Sequence, residues 1–145
     1  MSQQNPTHPE TTTYQAGLAR LREVDGNAGE QVIASLADIA PDLGRYIIEF
    51  GFGEVYRRPG LTLAQRELAT VAMLAAMGNA TPQLKVHLHA ALNVGLSQQE
   101  IIEVLIQSAL YAGFPAALNA VFAAREVFAS HQASATPATA EVTPS

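Results

Sequence analysis

The chain has 145 residues, of which 48% are apolar and 14% charged, a net charge of −5, and no cysteine or tryptophan. That length suffices for one domain with a core, and the missing thiols exclude disulfides, thiolate metal sites and thiol redox chemistry. One lysine and seven arginines form no basic run, which argues against a nucleic-acid partner. No stretch is long enough to cross a bilayer and the first residues lack an apolar signal core, so a cytoplasmic protein without a membrane partner is expected. So few charges on so small a domain point to burial of part of its surface against other subunits. Residues 1–12 and 132–145 are rich in Ser, Thr, Pro and Gln and are expected to be disordered tails flanking a folded domain at residues 13–131. His8 and His131 fall in or beside these tails and are given no role.

Tyr14, Leu18 and Leu21 are spaced as one helical face, predicting a first helix over Tyr14–Val24 that stops at Asp25-Gly26-Asn27. Val32, Ile33, Leu36 and Ile39 predict a second helix over Glu30–Ile39. Pro41 suits the first turn of a third, which carries Leu43, Tyr46, Ile47, Phe50 and Val55. Gly51 and Gly53 weaken that helix but would allow close backbone approach. After the break at Arg57-Arg58-Pro59-Gly60, Thr62 and Gln65 form a capping box for a helix that ends at Gly78. Thr81 as cap and Pro82 as first helical residue open the next, which ends at Gly95. Ser97 and Glu100 cap the following helix, which stops at Gly113, and Pro115 starts the last. No segment alternates like a strand. The expected fold class is all-α, six or seven helices with short connections from residue 61 onward.

Two polar residues are set into apolar faces. In LKVHLHAALNVG, Leu84–Gly95, the arc of Leu84, Leu88, Ala91 and Leu92 carries His87 on its edge, while His89, Lys85 and Asn93 share the polar side. In the preceding helix Leu63, Val71 and Leu74 make a stripe that contains Glu67, and Met73 and Met77 are assigned to the core. A carboxylate so placed must find a partner or raise its pKa. The structural readings stand beside the functional one: His87 as a hydrogen-bonded core residue, Glu67 paired with Arg66 or Arg125. Arg57 and Arg58 sit at a glycine break where an anion could reach them. The histidines diverge, so no metal site is expected. There is no phosphate loop and no serine-nucleophile elbow.

The runs FGFGEVYRRPGL, REL-TVAMLAAMG, LKVHLHAALNVG and QEIIEVLIQSALYAGFPAALNA, in this order over about residues 45–125, resemble the carboxymuconolactone decarboxylase family. The resemblance implies an alkylhydroperoxidase-like all-α fold that assembles as a homo-oligomer, a trimer or hexamer. Relatives in the superfamily use a Cys-x-x-Cys pair before a helical His, with a Glu about twenty residues ahead of it. With that His placed on His87, the cysteine positions fall at Ala80 and Gln83 and the Glu at or next to Glu67. The Glu–His framework is therefore present without its redox pair. In the decarboxylase branch the position of His89 is commonly Arg, that of Val94 is commonly Asn, and Glu67 is not a constant feature.

The resemblance implies cofactor-independent decarboxylation of 4-carboxymuconolactone to 3-oxoadipate enol-lactone in protocatechuate catabolism. In that reaction the substrate's own conjugated carbonyl accepts the electrons, so no cofactor is needed. His87 is then the proton donor or oxyanion partner and Glu67 its orienting or relay group. Arg58 and Arg66 are candidates for the carboxylate clamp, with Lys85 and Arg45 behind them. The alternatives are a cofactor-free isomerase or hydrolase of a related lactone or keto acid, and a non-catalytic ligand-binding oligomer.

Overall fold

A computed structural model describes residues 10–135, and among them the all-α class holds: seven α-helices and no strand. The chain divides into two compact units between Arg66 and Glu67, inside the fourth helix. Of the tails expected at residues 1–12 and 132–145, residues 1–9 and 136–145 lie outside the described residues.

In the first unit, α1 (Thr12–Asp25) begins where the Thr11 hydroxyl accepts the Tyr14 N–H at 3.0 Å, and it ends at Gly26, whose φ of +58° suits a residue without Cβ. Helix α2 (Asn27–Ala34) starts earlier and ends earlier than the spacing predicts. Residues 35–39 form turns, and Ser35 Oγ donates to the Val32 carbonyl at 2.6 Å, a local bond that competes with helix propagation. Helix α3 (Pro41–Tyr46) passes without a break into a π-helical segment, Ile47–Glu54, and a single 3₁₀ turn, Val55–Arg57. The sequence predicts this stretch as one continuous helix. It is helical throughout, but its winding changes twice.

The reason lies in the contact with α1. A Cβ added at Gly17 would stand 2.2 Å from the Ile48 carbonyl oxygen, and one at Gly53 would stand 2.8 Å from that of Thr13. Backbone therefore meets backbone where α1 crosses the π segment. Leu21, Val24, Ile48 and Phe52, all buried, supply the apolar burial of this unit.

The second unit is built on α4 (Leu63–Met77) from Glu67 onward, with α5 (Thr81–Asn93), α6 (Gln98–Ala112) and α7 (Phe114–Ala135). The capping box ahead of α4 is present, with the Gln65 N–H donating to Thr62 Oγ1 at 3.1 Å and the Thr62 N–H to Gln65 Oε1 at 2.9 Å. The box at Ser97 and Glu100 is also complete. Gly78, Gly95 and Gly113 all take positive φ at the predicted stops. The expected cap at Thr81 is not formed. Buried Ala80 is the cap residue, its carbonyl accepts the Leu84 N–H at 2.8 Å, and Thr81 is already helical. Helix α7 packs against both α5 and α6, and Ala117, Ala120, Ala123 and Ala124 on it are buried, small enough to admit neighbours on two sides. It continues to Ala135, past the boundary expected at His131.

Met73 and Met77 correct another expectation: they are 61% and 62% exposed, not core. The buried stripe of α4 is Glu67, Val71 and Ala75, spaced by four, and the methionines project on the other side. Among the described residues no helix is long and apolar enough to cross a membrane.

Alanine replaces helical glycine with a gain of up to about 1 kcal/mol when there is room for the added methyl group. Gly51→Ala, which meets nothing within 4 Å, should be neutral or stabilising on that scale. Gly17→Ala should instead lose about 1–3 kcal/mol through overpacking. Urea unfolding of the two variants checks the opposite signs.

Candidate active site

Glu67 is fully buried on α4, at 0% exposure, and His87 Nδ1 on α5 lies 2.9 Å from its Oε2. Both residues belong to the second unit. The local sequence explains the pairing. Glu67 lies on the stripe that α4 buries, and His87 lies on the edge of the arc formed by Leu84, Leu88 and Ala91, each at most 3% exposed. Burying an unpartnered carboxylate costs several kcal/mol, so the imidazole is a condition of that placement. Of the readings left open for Glu67, the structure supplies an imidazole partner from the next helix. With the carboxyl ionised, the Nδ1–H donates to it, which fixes the ring and its tautomer and turns Nε2 to the opposite edge. The His87 side chain stays 22% exposed, so one end of the pair is sealed and the other can be reached.

The sequence-derived cations divide into two kinds. Arg45 bridges Asp42 and Glu49, the latter at 2.9 Å, and stacks on Tyr46 at 4.6 Å. Lys85 pairs with Glu126 of α7. Both are thus held by carboxylates. Arg58 is exposed and Arg66 partly buried, and neither forms an ion pair among the described residues. Arg66 Nη2 donates to the Arg58 carbonyl at 2.9 Å, its guanidinium lies 6.0 Å over the Tyr56 ring, and its buried Nε–H has no acceptor among the described residues. Tyr56 was not singled out in the sequence. It follows the π segment, whose extra residue per turn breaks the 3.6 period from which faces are read.

His89 is half-buried, and burial together with neighbouring His131 pushes its pKa below the ordinary imidazole value. Two hollows of the second unit lie elsewhere. One of about 10 Å³ is lined by Leu74, Ala75, Leu84 and Ala120 among others, and an open groove of about 660 Å³ runs between α6 and α7 past Ile102, Arg125 and Phe128. Neither is lined by Glu67 or His87.

Helices alone among the described residues, no cysteine in the sequence, and a sealed glutamate set against a histidine on the following helix define a protein of alkylhydroperoxidase-like class. The chain belongs to the carboxymuconolactone decarboxylase family, whose family model matches residues 41–126. It is 38% identical over 116 residues to a 4-carboxymuconolactone decarboxylase of Acinetobacter baylyi, covering 79% of this chain and 86% of that one. It is 30% identical to an uncharacterised 15.0 kDa protein of Paracoccus denitrificans, over 66% of this chain and 72% of that one. A nitrosuccinic acid decarboxylase of Metarhizium robertsii is 35% identical over 52% of each chain.

A histidine whose pKa is lower folded than unfolded takes up fewer protons in the folded state, so its stability contribution is lost as pH falls through 6.5 toward the folded value. Thermal unfolding of wild type should therefore weaken more between pH 7 and pH 5 than that of His89→Gln. Parallel slopes would deny His89 this role.

Proposed function

We propose that the protein is a cofactor-independent carboxy-lyase that decarboxylates 4-carboxymuconolactone to 3-oxoadipate enol-lactone in the cytoplasm, within protocatechuate catabolism. The observation that carries this reading is the 2.9 Å contact between a fully buried Glu67 and a reachable His87. The relatives named as decarboxylases support it. The substrates in their names, 4-carboxymuconolactone and nitrosuccinic acid, are both small carboxylic acids with an electron-withdrawing group that can hold the electrons left by CO2.

The reaction asks little of the protein in covalent terms. The C–C bond to the departing carboxylate breaks, CO2 leaves, and the electron pair spreads through the adjacent double bond onto the lactone carbonyl oxygen. Protonation of the resulting dienolate at carbon completes the product. His87, protonated at Nε2, delivers that proton, and the Glu67 carboxylate stabilises the imidazolium beforehand. Solvent then returns a proton to the ring. The carboxylate that remains on the substrate requires a cation, and Arg58 and Arg66, which meet no carboxylate among the described residues, are assigned to it ahead of Arg45 and Lys85.

The working form is proposed to be a homo-oligomer, a trimer or hexamer. Supporting this, Ile106, Leu110, Tyr111, Phe114, Leu118 and Phe122 of α6 and α7 are each 47% or more exposed. A lone small domain seldom leaves so many large apolar side chains in water.

The test is a spectrophotometric assay with 4-carboxymuconolactone that follows enol-lactone and CO2. Wild type should turn it over. His87→Ala should fall by at least about 100-fold, and Glu67→Gln, which keeps a hydrogen-bond acceptor but loses the charge, by about 10-fold or more. A folded wild type that is inert to this lactone would overturn the substrate assignment, and full activity in His87→Ala would overturn the mechanism.

A further inference from the structure

Within the first unit Arg66 is held as few surface arginines are. Arg20, Arg22 and Arg45 of the same unit each meet a carboxylate at 2.7–2.9 Å, whereas Arg66 meets none among the described residues. Its position is set by neutral groups: the Arg58 carbonyl takes an Nη2–H, and the Tyr56 ring lies under the guanidinium. That ring is itself wedged, since buried Phe52 of the π segment packs on it with centroids 4.9 Å apart and planes tilted by 39°. A carboxylate partner would spend the guanidinium's charge, but a carbonyl and an aromatic face orient it and leave the charge available.

We propose that Tyr56 is a positioning residue that presents Arg66 to a carboxylate of the substrate. This rests on the reading that the protein binds a small carboxylated compound, and it adds the residue that fixes the receiving guanidinium. The winding change contributes directly. The π segment seats Phe52 in the core and the 3₁₀ turn that follows brings Tyr56 onto it, so the platform is anchored in the fold. A planar guanidinium held by one edge and one face, with its Nε–H buried, offers its remaining Nη–H groups in a fixed direction, which suits the two oxygens of a carboxylate.

The experiment measures calorimetric affinity for tricarballylate, an unreactive tricarboxylate, on the full chain. Wild type should bind it, and Arg66→Ala should weaken binding by about 30-fold. Tyr56→Phe should stay within about 2-fold, because the ring remains, and Tyr56→Leu should lose about 10-fold. Should the leucine variant fail to fold, 3,4,5-trifluorophenylalanine at position 56 keeps the ring's shape while draining its negative face, and it should still cost about 3-fold relative to Tyr56→Phe. A purely structural role would leave that last comparison unchanged, and equality there overturns the proposal. So does wild type that ignores tricarballylate, or Arg66→Ala that binds it as wild type does. The readout is anion affinity, so it stands or falls apart from turnover: tricarballylate binding that depends on both residues, in a protein inert to 4-carboxymuconolactone, would sink the lactone assignment and leave this inference intact.

Discussion

The structure depends on a carboxylate that has been taken entirely out of water. Glu67 sits on the buried stripe of α4, one turn before Val71 and two before Ala75, and the His87 imidazole meets it there. The arrangement is costly if either member is missing, because a buried charge without a partner is worth several kcal/mol against folding. A pair of this kind can be kept for specificity of packing or for chemistry. The two members differ in exposure, since the glutamate is sealed and the histidine retains a reachable edge.

The second unit is arranged to hold that pair in register. A capping box at Ser97 and three positive-φ glycines set where its helices start and stop. The alanine face of α7 lets α5 and α6 pack on it closely. In the first unit a different device serves. Gly17 and Gly53 let backbone touch backbone, and the π segment absorbs the resulting change in winding. Arg66 is then held by a carbonyl and a ring, with its charge unspent, while Arg45 of the same unit is neutralised by Asp42 and Glu49.

Much of this was legible in the residues. The helical class, the stops at Gly26, Gly78, Gly95 and Gly113, both capping boxes and the inward placement of Glu67 and His87 follow from local rules, because capping and amphipathic spacing act within a few residues. The readings that failed involve competition. Thr81 has the chemistry of a cap, but buried Ala80 next to it claims the position. Met73 and Met77 are apolar and regularly spaced, yet α4 buries the face that carries a charge and exposes the one that carries thioethers. The second helix ends early, at Ala34, and the Ser35 hydroxyl that follows donates to the Val32 carbonyl.

Sequence alone determined that this chain is helical, that it has no thiol chemistry, and that one glutamate and one histidine on successive helices face inward. Those are properties of composition and of period, and they need no knowledge of what lies opposite. Only the tertiary structure decided that the two inward groups meet each other, that Lys85 and Arg45 are neutralised by Glu126, Asp42 and Glu49, and that Tyr56 lies under Arg66. Pairing between side chains depends on how helices are placed in space and on changes of winding such as the π segment, and neither is encoded in the spacing of any single helix.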